Sequence, residues 1–135
     1  FINDSKATNT GATIAAIKGF GNPNSKNIVL IAGGQAKGQD FSSLSAEITA
    51  FVKLTILIGE DANQLAAALD GSCEIKYSDS LDEAIIQANH SAISGDTVLL
   101  SPACASFDMF DGFEHRGYCF ETAVNALIET QGVVQ

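Results

Sequence analysis

The sequence predicts an α/β domain with a Rossmann-like three-layer αβα architecture and a mostly parallel sheet. Short apolar runs of strand length alternate with segments whose apolar residues recur at helical spacing, as in successive βαβ units. Three of the strand-like runs do not alternate with polar residues, which indicates strands covered by helices on both faces. The chain has 135 residues, 46% hydrophobic and 17% charged, so we expect one packed domain.

Four strands follow from the apolar runs. They are predicted over residues 27–32, 54–58, 73–77 and 96–100. Residues 1–3 carry a weaker strand pattern, and we place them at an edge of the sheet. Residues 21–25 and 59–63 have the composition of ordinary connections.

Four helices follow from apolar residues spaced three or four positions apart. The first carries Ile14, Ile17 and Phe20 on one face. The second carries Leu44, Ile48, Phe51 and Val52. A capping box at residues 80–83 opens the third, whose apolar face comprises Leu81, Ala84, Ile85 and Ala88. The last carries Phe113, Phe120, Val124, Leu127 and Ile128.

Composition and charge exclude several classes of protein. Seven Lys and Arg against sixteen Asp and Glu give a net charge of -9, so the chain as a whole repels nucleic acid and anionic lipid. The apolar runs are far shorter than the roughly 20 residues that span a bilayer, and no signal segment opens the chain. Three cysteines without C-x-x-C spacing fit a reducing compartment. We expect a cytoplasmic protein with neither a nucleic acid nor a membrane as partner.

Ligands of open parallel sheets bind where loops leave the carboxyl ends of the strands, which directs attention first to residues 33–38. Gly33 and Gly34 allow backbone N–H groups to approach a ligand, and Lys37 adds a cation for a carboxylate or phosphate. The segment matches neither the P-loop nor the dinucleotide-binding pattern. A tight turn with a solvated lysine is the alternative interpretation.

A second loop, residues 101–106, is small and polar and contains one proline. Its backbone amides and the Ser106 hydroxyl suit a ligand, although a plain connection between strand and helix is an equal alternative. Cys104 is a candidate nucleophile for a cysteine-dependent enzyme. However, no nucleophile elbow is present and neither His90 nor His115 has an evident relation to it, so a small buried thiol is favoured.

A third segment, residues 3–9, has six hydrogen-bonding side chains in seven positions just before the first helix. That density exceeds what one helix cap requires. Capping by Thr8, Asn9 or Thr10 is nevertheless the simpler interpretation of these residues. The helix N-terminus would also favour a carboxylate or phosphate nearby.

The remaining polar residues predict no metal site. His115 and Cys119 lie one helical turn apart without a third ligand, and Asp108 and Asp111 lack a regular metal-loop spacing. We expect Glu114 and Arg116 to form a surface pair. Four lysines are expected to be solvated charges: Lys18, Lys26, Lys53 and Lys76.

Taken together, three motifs resemble the C-terminal domain of the D-glutamate-adding members of the bacterial Mur ligase family. They are residues 1–9, the Gly33-Gly34 pair with Lys37, and residues 101–108 followed by Phe110, Phe113, Glu114, Arg116 and Gly117. The motifs occur in the same order as in that family and span nearly the whole chain. Phe1 stands where tryptophan is frequent in these enzymes.

The resemblance implies an ATP-dependent amide-forming ligase of peptidoglycan synthesis. In that family ATP phosphorylates the L-alanine carboxylate of UDP-N-acetylmuramoyl-L-alanine, and the amine of D-glutamate attacks the acyl phosphate. Residue 1 is not Met, so we expect residues 1–135 to be the C-terminal, amino-acid-binding domain of a longer three-domain enzyme. ATP, Mg²⁺ and the UDP substrate would be held with the absent N-terminal and central domains, and the isolated domain would be inactive.

The resemblance also implies roles for six residues. Lys37 and Thr8 resemble the partners of one D-glutamate carboxylate, and Ser106 with the backbone N–H of Phe113 those of the other. Asp4 resembles the residue that reaches the ATP ribose, and Lys6 the one directed toward the phosphates. A stand-alone Rossmann-like binding or interaction module without catalysis is the alternative.

Overall fold

The computed structural model describes residues 1–106 and 108–131 and confirms the predicted α/β class. Five strands and five α-helices follow one another, with a 3₁₀ turn at Ser42–Leu44 leading into the second helix. The strands are β1 (Ile2–Asn3), β2 (Ile28–Gly33), β3 (Val52–Ile58), β4 (Glu74–Tyr77) and β5 (Thr97–Leu100). The helices are α1 (Thr10–Phe20), α2 (Ser45–Phe51), α3 (Ala62–Leu69), α4 (Leu81–Ser91) and α5 (Phe113–Gln131).

All strand pairs are parallel, in the order β1-β5-β2-β3-β4. Successive strands run outward from β2 through β3 to β4, and the chain then returns to place β5 on the other side of β2. The direction of the connections therefore reverses between β2 and β5. A crevice at such a switch point is where open α/β sheets bind ligands.

The core forms two layers, one on each face of the sheet. Along β2, where all six residues are buried, Ile28, Leu30 and Ala32 belong to one layer while Val29 and Ile31 belong to the other. The first layer is covered by α1, α2 and α3, and the second by α4 and α5. Burial on both faces explains why the strand has no polar alternation.

Two expectations about the elements were wrong, and a weaker one was confirmed. Helix α3 begins at Ala62, inside the segment that was expected to be a plain connection. It was not predicted because only Leu65 and Leu69 mark its buried face, among alanines. Val52 is the first residue of β3 rather than part of a helix, since the chain passes from α2 into the strand without a loop. The weak strand pattern at the start of the chain forms β1.

No helix within residues 1–106 and 108–131 is both long enough and apolar enough to cross a bilayer.

Candidate functional site

The three segments singled out in the sequence leave adjacent strands at the same edge of the sheet. We call residues 4–9, 33–39 and 101–106 the three-loop rim. Because β5 lies between β1 and β2, its loop contacts both of the others. The Ala103 N–H donates to the Ala7 carbonyl at 2.9 Å, and Gln35 and Ala105 exchange two backbone hydrogen bonds at 2.9 and 3.0 Å.

Gly33 and Gly34, at the start of the second loop, serve close packing between loops. Gly33 has φ 125°, and a Cβ there would lie 1.9 Å from the Ile58 carbonyl oxygen. Gly34 has φ 136°, and its Cβ would lie 2.2 Å from the Ala105 carbonyl oxygen. The Gly33 N–H donates to Pro102 at 3.0 Å. The neighbouring loop therefore already uses the Gly33 N–H, and the approach of a ligand to other N–H groups of this segment stays a prediction.

Lys37 lies at the tip of the second loop in a left-handed conformation. Its φ is 55°, and it is followed by Gly38 at φ 73°. Lys37 is exposed, and within the described parts of the chain its ammonium group forms no ion pair. Ala103 of the third loop is also left-handed, with φ 62°. Strained non-glycine residues of this kind are concentrated at binding and active sites.

The first loop leads into α1 through a cap supplied by Asn9. The Asn9 Oδ1 accepts from the Ala12 N–H at 2.9 Å, so Asn9 is the capping residue among the three candidates. Thr8 is half-buried, and no group of residues 1–106 or 108–131 hydrogen-bonds its hydroxyl. Thr8 therefore keeps a donor and acceptor that the cap does not use.

Ser106 and Phe113 flank the passage from the third loop into α5. Ser106 is buried, and its carbonyl accepts from the N–H groups of Met109 and Phe110 at 3.2 and 2.8 Å. Phe113 is the first residue of α5, so its N–H is among the four that a helix leaves without an internal partner. Phe107 lies outside the described residues.

Asp4 and Lys6 follow β1 directly. The Asp4 N–H donates to Leu100, which extends the pairing of the two strands, and its Oδ2 accepts from the Ser101 hydroxyl at 2.9 Å. Lys6 is exposed and borders a cavity of about 340 Å³ together with Asn3, Ser5 and Phe113. Asp4 is thus fixed by its neighbours, whereas the Lys6 side chain extends into solvent.

Arg116 is buried at 1% exposure, so the expectation of a surface pair with Glu114 was wrong. Its Nε and Nη2 donate to the hydroxyl and carbonyl of Ser5 at 3.0 and 2.6 Å, and its Nη1 donates to the Cys104 carbonyl at 3.1 Å. Burial lowers the pKa of Arg116 to about 10. Arg116 therefore fastens the first and third loops to α5 while remaining charged at neutral pH.

The spacing of residues in the sequence indicates the burial of Arg116. Positions 113, 116, 120 and 124 recur at helical spacing, which places the arginine on the apolar face of α5. Gly117 beside it allows a close approach, because a Cβ there would lie 3.2 Å from atoms of Asn3 and Ser5.

Two carboxylates that were not predicted to have a structural role support the rim, Asp61 directly and Asp108 through the connection at residues 59–63. Asp61 Oδ2 accepts from the Ala36 N–H at 2.7 Å, and Asp108 Oδ2 accepts from the Glu60 N–H at 2.8 Å. The connection at residues 59–63 therefore supports the second loop. Lys53, expected to be solvated, instead forms an ion pair with Asp96 at the start of β5.

Cys104 has the properties of a structural thiol. It is fully buried, as expected, and desolvation raises its pKa to about 12 although Arg116 opposes the shift. A thiol of this kind is almost entirely protonated at neutral pH and is a poor nucleophile. In the described part of the chain, no three His, Cys, Asp or Glu side chains are grouped to hold a metal ion.

Comparison with known proteins places these motifs in one family of enzymes. The family model described as "Mur ligase, glutamate ligase domain" matches residues 1–104. A relative from Coxiella burnetii is 52% identical over 127 residues, which are 94% of this chain and 29% of that protein. Relatives from Acinetobacter baylyi and Ralstonia nicotianae are 49% and 50% identical over 95% and 99% of this chain.

All three relatives are named UDP-N-acetylmuramoylalanine--D-glutamate ligase. The chain spans 29%, 29% and 26% of their lengths, which is less than a third in each case.

Proposed function

Because the chain belongs to the Mur ligase family, in its glutamate ligase domain, we propose that it is the domain that binds D-glutamate in a UDP-N-acetylmuramoylalanine--D-glutamate ligase. Residues 1–135 would form the C-terminal domain of that enzyme. The observation that carries the proposal is the meeting of three loops at one edge of the sheet, with Thr8, Lys37 and Ser106 distributed one to each loop. A stand-alone binding module is not favoured, since the relatives are named as ligases.

The proposed ligand carries two carboxylates, and the rim offers polar groups for both. Lys37 and the Thr8 hydroxyl would bind one carboxylate, while the Ser106 hydroxyl and the Phe113 N–H would bind the other. Hydrogen bonds to charged groups are the stronger class, at about 1.5 to 3 kcal/mol each. The net charge of -9 would repel an anionic amino acid. Lys37, which is exposed and forms no ion pair within the described residues, would offset that repulsion locally.

ATP and the UDP-linked substrate would be bound mainly by other parts of the enzyme. As the family resemblance implies, Asp4 would reach the ATP ribose and Lys6 the phosphate region; both lie in the first loop of the rim, directly after β1. The carboxylates of the described residues form no group suited to Mg²⁺, and we propose that the rest of the enzyme binds that ion.

The contribution of this chain to the reaction would be to position the nucleophile. ATP would convert the L-alanine carboxylate into an acyl phosphate, the D-glutamate amine would attack its carbonyl carbon, and phosphate would leave. Holding both carboxylates fixes the direction of the amine and lowers the entropic barrier of a reaction between two substrates. Closure of the domain onto the ATP-bearing part would bring the amine to the acyl phosphate.

Titration of the isotopically labelled chain with D-glutamate tests the proposal. We expect the backbone amide signals of Thr8, Lys37, Ser106 and Phe113 to move, and Lys37→Met to weaken binding roughly tenfold or more through loss of a charged hydrogen bond. Lys26→Met, which removes an exposed charge before β2, is the matched control and should bind normally. Signals that move only on other faces of the domain would contradict the proposal.

A further inference from the structure

We propose that Gln39 is a positioning residue of the D-glutamate site because its side chain joins all three loops of the rim. The inference rests on the proposed function. Gln39 follows the loop tip at Lys37 and Gly38, is partly buried, and is not among the residues that the family resemblance pointed to.

The side-chain amide of Gln39 has matched partners at both ends. Its Nε2 donates to the carbonyls of Ala36 and Ala103 at 3.0 Å each and lies 3.4 Å from the Thr8 carbonyl oxygen. Its Oε1 accepts from the Thr10 N–H at 3.1 Å. The nitrogen meets only acceptors and the oxygen meets a donor, so the orientation of the amide is determined by these partners.

Each contact fixes a part of the rim that would hold the ligand. The bond to Ala36 adds to the backbone hydrogen bond from the Gln39 N–H, at 3.1 Å, that closes the turn in which Lys37 is left-handed. The bond to Ala103 holds the second left-handed residue, three positions before Ser106. The bond from Thr10 occupies the first N–H of α1, which the Asn9 cap leaves open, and so it fixes the chain just after Thr8.

Gln39 therefore acts through Thr8, Lys37 and Ser106 rather than by touching the ligand. Without it, the two left-handed residues would lose a common support, and Thr8, Lys37 and Ser106 would be positioned only by the backbone bonds between the loops and by Arg116. Loss of the Gln39 contacts would therefore weaken the affinity for a ligand that must contact all three loops at once.

Two substitutions at this position, with a matched control, test the inference. Gln39→Glu keeps the shape but replaces the donating nitrogen with an acceptor that faces three carbonyls, and Gln39→Ala removes the side chain. Gln87→Glu makes the same change of charge on α4, on the opposite face of the sheet. D-glutamate is titrated into each variant at a temperature at which all are folded, and unfolding in urea is measured separately.

We expect both Gln39 variants to bind D-glutamate about tenfold more weakly, from the loss of two or more hydrogen bonds, and Gln87→Glu to bind normally. A residue that only stabilises the fold would lower the urea midpoint and leave the affinity of the folded domain unchanged. That result would overturn the inference. Gln39 variants with the same affinity and the same stability as the unmodified chain would also overturn it.

If the unmodified chain fails to bind D-glutamate, the proposed function fails and the role of Gln39 is decided without ligand. Amide hydrogen exchange at Thr10 and backbone chemical shifts at Lys37 and Ala103 report whether the loops are joined. Faster exchange and shifted signals in Gln39→Glu, with Gln87→Glu unaffected, would support the role in positioning the loops. Unchanged exchange and shifts would overturn it.

Discussion

At the scale of single residues, Arg116 stabilises the rim through the polar groups that it satisfies. A buried guanidinium costs free energy unless its donors are paired, and here three nitrogens bind oxygens of Ser5 and Cys104. Two of those oxygens are backbone carbonyls in loops that carry no regular secondary structure. Arg116 thus supplies donors that a strand or helix would otherwise have provided.

We expect Arg116→Met to lower the free energy of unfolding by about 3 kcal/mol, because buried carbonyls lose their donors. Urea unfolding followed by circular dichroism measures the change. Lys37→Met, which removes an exposed cation of similar length, should change stability by less than about 0.5 kcal/mol. Equal stability of the two variants would show that Arg116 is dispensable for the fold.

At the scale of secondary-structure elements, α1 connects the fold to the site. Its N-cap residue, Asn9, directly follows Thr8, and its Ile17 is buried in the core layer beside α2. Asn9 and Gln39 satisfy two of the N–H groups that begin the helix. The position of Thr8 therefore depends on the hydrogen bonds that hold the first turn of this helix.

Replacing the capping residue tests that dependence. We expect Asn9→Ala to cost about 1 kcal/mol of stability and Asn9→Asp to cost less, because aspartate also accepts from the Ala12 N–H. Asn63→Ala, an exposed position near the start of α3, is the control and should not destabilise the domain. Thermal melts of the four proteins measure the order. Equal melting of Asn9→Ala and the unmodified chain would contradict the role of the cap.

At the scale of the whole molecule, the rim would be one wall of the proposed site, which would need another protein surface to face it. Lys6 and Lys37 are exposed, and the cavity beside Lys6 is open to solvent. Acyl transfer requires exclusion of water from the reactive phosphate, which a single open edge of a sheet does not provide. We therefore expect the proposed binding of D-glutamate to be separable from catalysis by the whole enzyme.

We expect the chain alone to release no phosphate when mixed with ATP, Mg²⁺, UDP-N-acetylmuramoyl-L-alanine and D-glutamate. A colorimetric phosphate assay measures this, with the full-length Coxiella burnetii relative as the active control. Phosphate release by the chain that depends on D-glutamate would refute the assignment as a binding domain.

Much of the fold could be predicted because strands that are buried on both faces consist of continuous apolar residues. The apolar runs of β2 and β3 identify the central strands, and parallel strands bring their following loops to one edge. Helix α3 was missed because alanines hide its periodicity, and Arg116 because a charged residue was assumed to be solvated. Contacts between loops, such as Asp61 with the Ala36 N–H, depend on tertiary positions that no local pattern encodes.

The pairing of β1 has a consequence for how the protein is made. Ile2 pairs with Leu99 and Asn3 with Leu100, so β1 cannot join the sheet until β5 has been synthesised. Within this domain, the segment that carries Asp4, Lys6 and Thr8 is translated before β2 to β5, yet it takes its final place only after β5 has left the ribosome. During translation, the central strands can therefore assemble well before the proposed binding groups do.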